Sequence, residues 1–127
     1  MKLELIDTNI LTRFFIADIK NQHSQAEKIF KAAQMGKRKL RLEVLVVAEV
    51  CYVLESFYKR DRKEIADFLE LFVSQKWLQV QDRKIVQTAW SWYLKGFHFV
   101  DSYLLAWVKV KKAKVLSFDK KLMKIGG

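Results

Sequence analysis

The chain has 127 residues and a mass of 15.1 kDa, with 51% hydrophobic and 30% charged residues. That composition excludes a disordered or collagen-like polymer and suits one globular domain over residues 1–127. Twenty-four Lys and Arg against 14 Asp and Glu give a formal charge of +10, a balance that attracts polyanions such as nucleic acid as readily as it serves solubility.

No apolar run reaches the ~20 residues of a membrane span; the longest, Val44–Leu54, is broken by Glu49. The acids in the opening MKLELIDTN argue against an export signal. A single cysteine, Cys51, excludes an internal disulfide framework and a multi-cysteine zinc site. Together these absences lead to the expectation of a cytoplasmic protein.

The chain contains no proline and only four glycines, so long helices are expected and tight hairpins are not. Lys2–Ile6 reads as a first strand, and Asp7-Thr8-Asn9 offers capping chemistry for a helix through Phe15. His23–Met35 carries Ala26, Ile29, Phe30 and Ala33 at helical spacing, with Gly36 placed to end it. The basic run Lys37–Arg41 leads into an extended piece around Leu40–Leu42, followed by a long apolar helix over Val44–Lys59. Asp61 with Glu64 has the form of a capping box for a helix over Arg62–Ser74. Trp77–Val80 alternates as a strand, and Asp82 opens a helix that ends near Gly96. Asp101–Lys111 predicts a further helix, Lys114–Ser117 a strand, and Asp119 the start of a short last helix. Strands alternating with helices imply parallel pairing, hence an α/β fold: a three-layer α/β/α sandwich with a short parallel central sheet.

In such sheets, sites form beyond the carboxyl ends of the strands, where this reading puts Asp7 and Asp119. Each also has the simpler role of a helix cap, as does Asp101. Glu49 differs because it falls within a helix, where no cap is needed. Its neighbours one turn away, Leu45, Val46, Tyr52 and Val53, include no cation. A carboxylate buried on such a face is costly unless it binds something; the simpler alternative is an edge position that reaches water. Four converging acids would repel one another without cations, and an all-oxygen set favours Mg2+ or Mn2+ over zinc. His23 and His98 read as ordinary surface or loop residues, and Cys51 as a small core residue turned away from Glu49. Trp90, Trp92 and Tyr93 read as core rather than as base-stacking groups. Lys109–Lys114 reads as a solvated helix end or a phosphate contact. No glycine-rich phosphate loop and no Ser-His-Asp constellation is present.

Four segments in order resemble the PIN-domain ribonucleases, in particular the VapC-type toxins of toxin–antitoxin pairs. LIDTNILTRF is similar to the family's opening strand and turn, and VLVVAEVCYVLE to its Glu-bearing helix. FHFVDSYLLAWV is similar to the segment of the third acid, and KVLSFDKKLMKI to the closing Thr/Ser-Phe-Asp segment. The acids are separated by 42, 52 and 18 residues.

The resemblance implies a site of Asp7, Glu49, Asp101 and Asp119, supported by Thr8, Asn9 and Ser117 and holding one or two Mg2+ or Mn2+ ions. It further implies an RNA substrate, a small antitoxin partner and a homodimer. Ser117 stands where the family often has threonine, and members usually carry one more short strand beyond the last acid. An antitoxin groove is expected between the third and fourth helices, from Val53, Leu54, Phe57, Phe68, Leu71 and Phe72. The remaining function classes are a non-catalytic nucleic-acid-binding or protein-interaction domain and a related metal-dependent DNA nuclease or phosphatase.

Overall fold

The computed structural model describes residues 1–127, which form two compact units, Met1–Gln81 and Asp82–Gly127. The first unit runs β1 (Leu3–Leu5), α1 (Thr8–Phe15), α2 (Lys20–Gln34), β2 (Lys39–Leu42), α3 (Val44–Ser56), α4 (Arg62–Val73) and β3 (Leu78–Val80). Its strands lie in the order β1-β2-β3 and all pair in parallel, with Glu4 opposite Leu40 and Arg41 opposite Gln79. Each strand reaches its neighbour through two helices, the crossover that parallel pairing demands. The expected α/β class with a short parallel sheet therefore holds.

The central strand alternates: Leu40 and Leu42 are buried while Lys39 faces solvent. The core continues through Leu11 of α1, Val47, Val50, Cys51 and Leu54 of α3, and Ile65, Leu69 and Val73 of α4. Cys51 is thus the core residue its small apolar character suggests. A ring cluster of Phe14, Phe30, Phe68, Phe72 and Trp77 packs α1, α2 and α4, with Phe14 edge-on to Phe30 at 4.8 Å.

Two boundaries and one cap differ from the sequence expectation for local reasons. α2 starts at Lys20, not His23, because its cap position is Ile19, which makes no side-chain cap bond and so carries no capping signal. His23 lies inside the helix, half-buried and stacked on Phe14, with Nδ1 3.1 Å from the Arg13 carbonyl. α3 stops at Ser56 because the chain turns back on itself: Lys59 takes φ +55°, and the Arg60 N–H donates to the Leu54 carbonyl at 2.8 Å. At α4, Asp61 caps the Lys63 N–H, but Glu64 does not complete a capping box; its carboxylate pairs with Arg60 at 3.0 Å.

The second unit contains α5 (Arg83–Tyr93), α6 (Phe99–Lys111) and α7 (Lys120–Gly126). Trp90, Tyr93 and Phe99 are buried against one another, with Trp90 and Phe99 rings 5.3 Å apart, as the core reading requires. Trp92 is half-exposed beneath Lys109, whose ammonium lies 5.8 Å from the ring centre. Gly96 makes the turn after α5 at φ +105°, a conformation that a Cβ disfavours. Asp82 occupies the cap position of α5 in the left-handed region, φ +51°, and makes no cap bond. Its carboxylate instead accepts the Tyr103 hydroxyl at 2.6 Å, tying the start of α5 to α6.

The strand expected over Lys114–Ser117 does not form. The Val115 N–H turns to the Gly126 carbonyl at 2.7 Å, and Leu116 and Phe118 project outward. Gly126 permits this closeness, since a Cβ there would meet Leu105 at 2.8 Å.

Candidate active site

Asp7 follows β1 and caps α1. Its Oδ1 accepts the Ile10 N–H at 3.0 Å, leaving a second oxygen outside the cap. Both roles assigned to Asp7, cap and site acid, are therefore open to the same side chain. Glu49 lies halfway along α3, and its Oε1 accepts a hydrogen bond from the Thr8 hydroxyl. Asp7, Thr8, Asn9 and Glu49 line a cavity of about 410 Å³, with Val46 and Val53 as its apolar walls. One end of α1 and the middle of α3 thus face each other across a polar lining of two carboxylates, one hydroxyl and one amide side chain.

Glu49 is exposed, and so are its neighbours Leu45 and Tyr52. The burial inferred from an apolar helical face does not occur. The carboxylate reaches the cavity because α3 has two opposite surfaces: Val47, Val50, Cys51 and Leu54 face the core, while Leu45, Glu49 and Tyr52 face out.

In the second unit, Asp101 is the third residue of α6 and is half-buried. The cap position belongs to His98, which is exposed and makes no side-chain cap bond, so Asp101 is not a cap. Asp119 is a cap: its Oδ1 accepts the Lys121 and Leu122 N–H groups at 2.9 and 3.2 Å. Ser117 braces the turn by accepting the Asp119 N–H at 2.9 Å. Since no strand precedes it, Asp119 follows an extended, unpaired segment rather than a strand end.

The structure thus brings Asp7 and Glu49 together, with Thr8 and Asn9, in the first unit, while Asp101 and Asp119 stand on α6 and α7 of the second. Neither unit by itself gathers three His, Cys, Asp or Glu side chains into a metal-binding cluster. None of the four acids joins an ion pair, although the chain's Arg and Lys residues pair with Glu4, Asp18, Glu43, Glu55, Glu64 and Asp67. That is notable in a chain of charge +10, where cations are in excess.

A separate apolar cavity of about 310 Å³ lies between α2 and α4, walled by Phe14, Phe30, Phe68, Phe72 and Trp77. It takes Phe68, Leu71 and Phe72 from the groove expected between the third and fourth helices, but opens against α2 rather than α3. Of the other three, Leu54 is in the core, Val53 lines the cavity at Glu49, and Phe57 is exposed outside both.

A PIN-domain family model matches residues 5–127, across both units. The chain belongs to the PIN-domain family. It is 27% identical, over 128 residues, to a VapC ribonuclease of Aquifex aeolicus (strain VF5), which covers 98% of this chain and 93% of the relative. No solved structure matches the chain. No helix is long and apolar enough to cross a membrane.

Proposed function

We propose that this chain is a divalent-metal-dependent endoribonuclease, the toxin half of a toxin–antitoxin pair acting in the cytoplasm. The observation that carries this reading is the pairing of Asp7 and Glu49 across one polar cavity in a chain of the PIN-domain family. That the Aquifex aeolicus relative is a VapC ribonuclease supports the choice of RNA as substrate. Oxygen donors alone suit Mg2+ or Mn2+, which prefer carboxylate and water over imidazole or thiolate. Asp7, Glu49, Asp101 and Asp119 are the residues assigned to hold one or two such ions.

A bound divalent cation supplies an activated water and neutralises charge on the scissile phosphate. The chain's own contribution is positional. Thr8 fixes one Glu49 oxygen, which sets the direction of the other. The α1 backbone fixes one Asp7 oxygen in the same way. Ser117 and the first turn of α7 hold Asp119. Carboxylates restrained by such bonds need little rearrangement to bind a cation.

Two partners complete the reading. The aromatic cavity between α2 and α4 suits an apolar side chain of a small antitoxin, a helix-in-groove contact. The exposed Leu45 and Tyr52 of α3, with Phe57 just beyond its end, suit burial in a homodimer.

The test is cleavage of an unstructured RNA by purified protein in Mn2+, in chelator, and by Asp7→Asn in Mn2+. Cleavage only by the unaltered protein with metal is expected. Metal-independent cleavage, or full activity of Asp7→Asn, would overturn the assignment. RNA binding with no cleavage would favour the binding-module class instead.

A further inference from the structure

The charge of the chain is unevenly distributed. The second unit, 46 residues, holds ten Lys and Arg against three acids, Asp82, Asp101 and Asp119. The first unit's 14 cations are nearly matched by 11 acids. Within the second unit, Lys114, Lys120 and Lys124 are exposed and join no ion pair. Between Lys114 and Lys120 in the sequence stands Phe118, at 107% relative exposure, an aromatic ring wholly in solvent. It is not a loose side chain on a loose loop. The Ser117 hydroxyl holds the Asp119 N–H on one side, and Asp119 caps two N–H groups of α7 on the other. These bonds restrain the turn that carries the ring.

We propose that Phe118 is a base-stacking residue for single-stranded RNA, with Lys114, Lys120 and Lys124 taking the neighbouring phosphates. The inference rests on the ribonuclease reading and deepens it by naming where substrate is gripped beside Asp119. An exposed aromatic flanked along the chain by exposed cations is what unpaired nucleotides select: each base offers a π-face and each linkage a negative charge. An apolar protein partner would be repelled by no charge here but would gain nothing from three unpaired lysines. The aromatic ring, not merely its apolar area, is the group the RNA requires.

Binding of a fluorescent ten-nucleotide RNA in chelator, together with KM for cleavage in Mn2+, tests this. Phe118→Leu preserves apolar bulk and removes the π-face. Affinity should fall about 5- to 100-fold, the loss of one stacked base, with KM rising in step and kcat held. Phe118→Trp should stay within about twofold of the unaltered chain, since indole stacks at least as well as phenyl. Scanning a single abasic nucleotide through the RNA should reveal one sensitive position whose sensitivity disappears in Phe118→Leu. Equal affinity and KM for Phe118→Leu and the unaltered chain would overturn the stack while leaving the ribonuclease reading intact. A change in sedimentation of the free protein with unchanged RNA affinity would make Phe118 a contact between copies, and also overturn it. An unaltered chain that neither binds nor cuts RNA would remove the ribonuclease reading, and the stack with it.

Discussion

Glu49 is the residue on which the proposed site turns. It is exposed, joins no ion pair, and accepts a bond from Thr8. Glu49→Gln keeps that acceptor and removes the charge. Stability should therefore stay within ~0.5 kcal/mol, as for surface substitutions outside special features. Cleavage should fall by about 100-fold or more, the scale of losing one preorganised electrostatic group. Thermal melting and an RNA cleavage assay on the same preparation check both halves; intact cleavage would remove Glu49 from the site. Position and residue type were legible in the sequence, since a lone acid within an apolar helix is conspicuous. Its environment was not. Leu45 and Tyr52 are as exposed as Glu49, and apolar neighbours in a helix say nothing about whether a partner element covers them. Thr8, four residues into the opening motif of the resemblance, was legible as a supporting residue, but its reach to Glu49, 41 residues away, depends on the packing of α1 against α3.

Elements were most legible where their ends carry chemistry. Asp7, Asp61 and Asp119 each cap the helix their position announced. Asp82 did not, because the Tyr103 hydroxyl competes for the same carboxylate, a long-range partner no local pattern records. That bond has a measurable consequence. Burial first, and the adjacent Asp82 carboxylate second, push the Tyr103 phenol up to about 12 from its usual 10. The neutral phenol is the favoured form in the folded chain, so its contribution is complete below pH 10 and is lost as pH rises towards 12. Tyr103→Phe should cost ~1 kcal/mol near neutrality, the net worth of one hydrogen bond. Between pH 10 and 12 the stability gap between Tyr103→Phe and the unaltered chain should close, as urea melts across that range would show; a constant gap would mean that the phenol does not govern the alkaline limb. The strand expected at Lys114–Ser117 failed for a related reason. The short apolar run Val115-Leu116 beside Ser117 reads as a strand, but a strand exists only if its N–H groups meet a neighbouring strand. Here one is taken by the end of α7.

At the scale of the whole molecule, the sequence made the α/β class and the family visible, because both depend on the order of elements and the spacing of acids along the chain. It did not reveal that the net positive charge gathers mainly in residues 82–127, although the letters were all present; the division into units is a property of the fold. RNA affinity should accordingly fall with salt at a log–log slope of about −0.7 per phosphate neutralised. Removing Lys120 and Lys124 together should flatten that slope more than removing Lys28 and Lys63, and filter-binding titrations from low to high salt would decide it. The backbone adds one more trait. Three residues other than glycine adopt the left-handed conformation, Lys59, Asp82 and Lys112, a strain of about 1 kcal/mol or more apiece that glycine would relieve. Lys59→Gly and Lys112→Gly should each raise the melting temperature by about 2–5 °C, which differential scanning calorimetry would register. Two of the three seats where glycine would fit best are held by lysine, so heat resistance and positive charge are drawn from the same positions. A variant selected for thermal robustness at Lys59 and Lys112 would surrender cations as it gained rigidity, and one selected for attraction to polyanions would be held back from that gain.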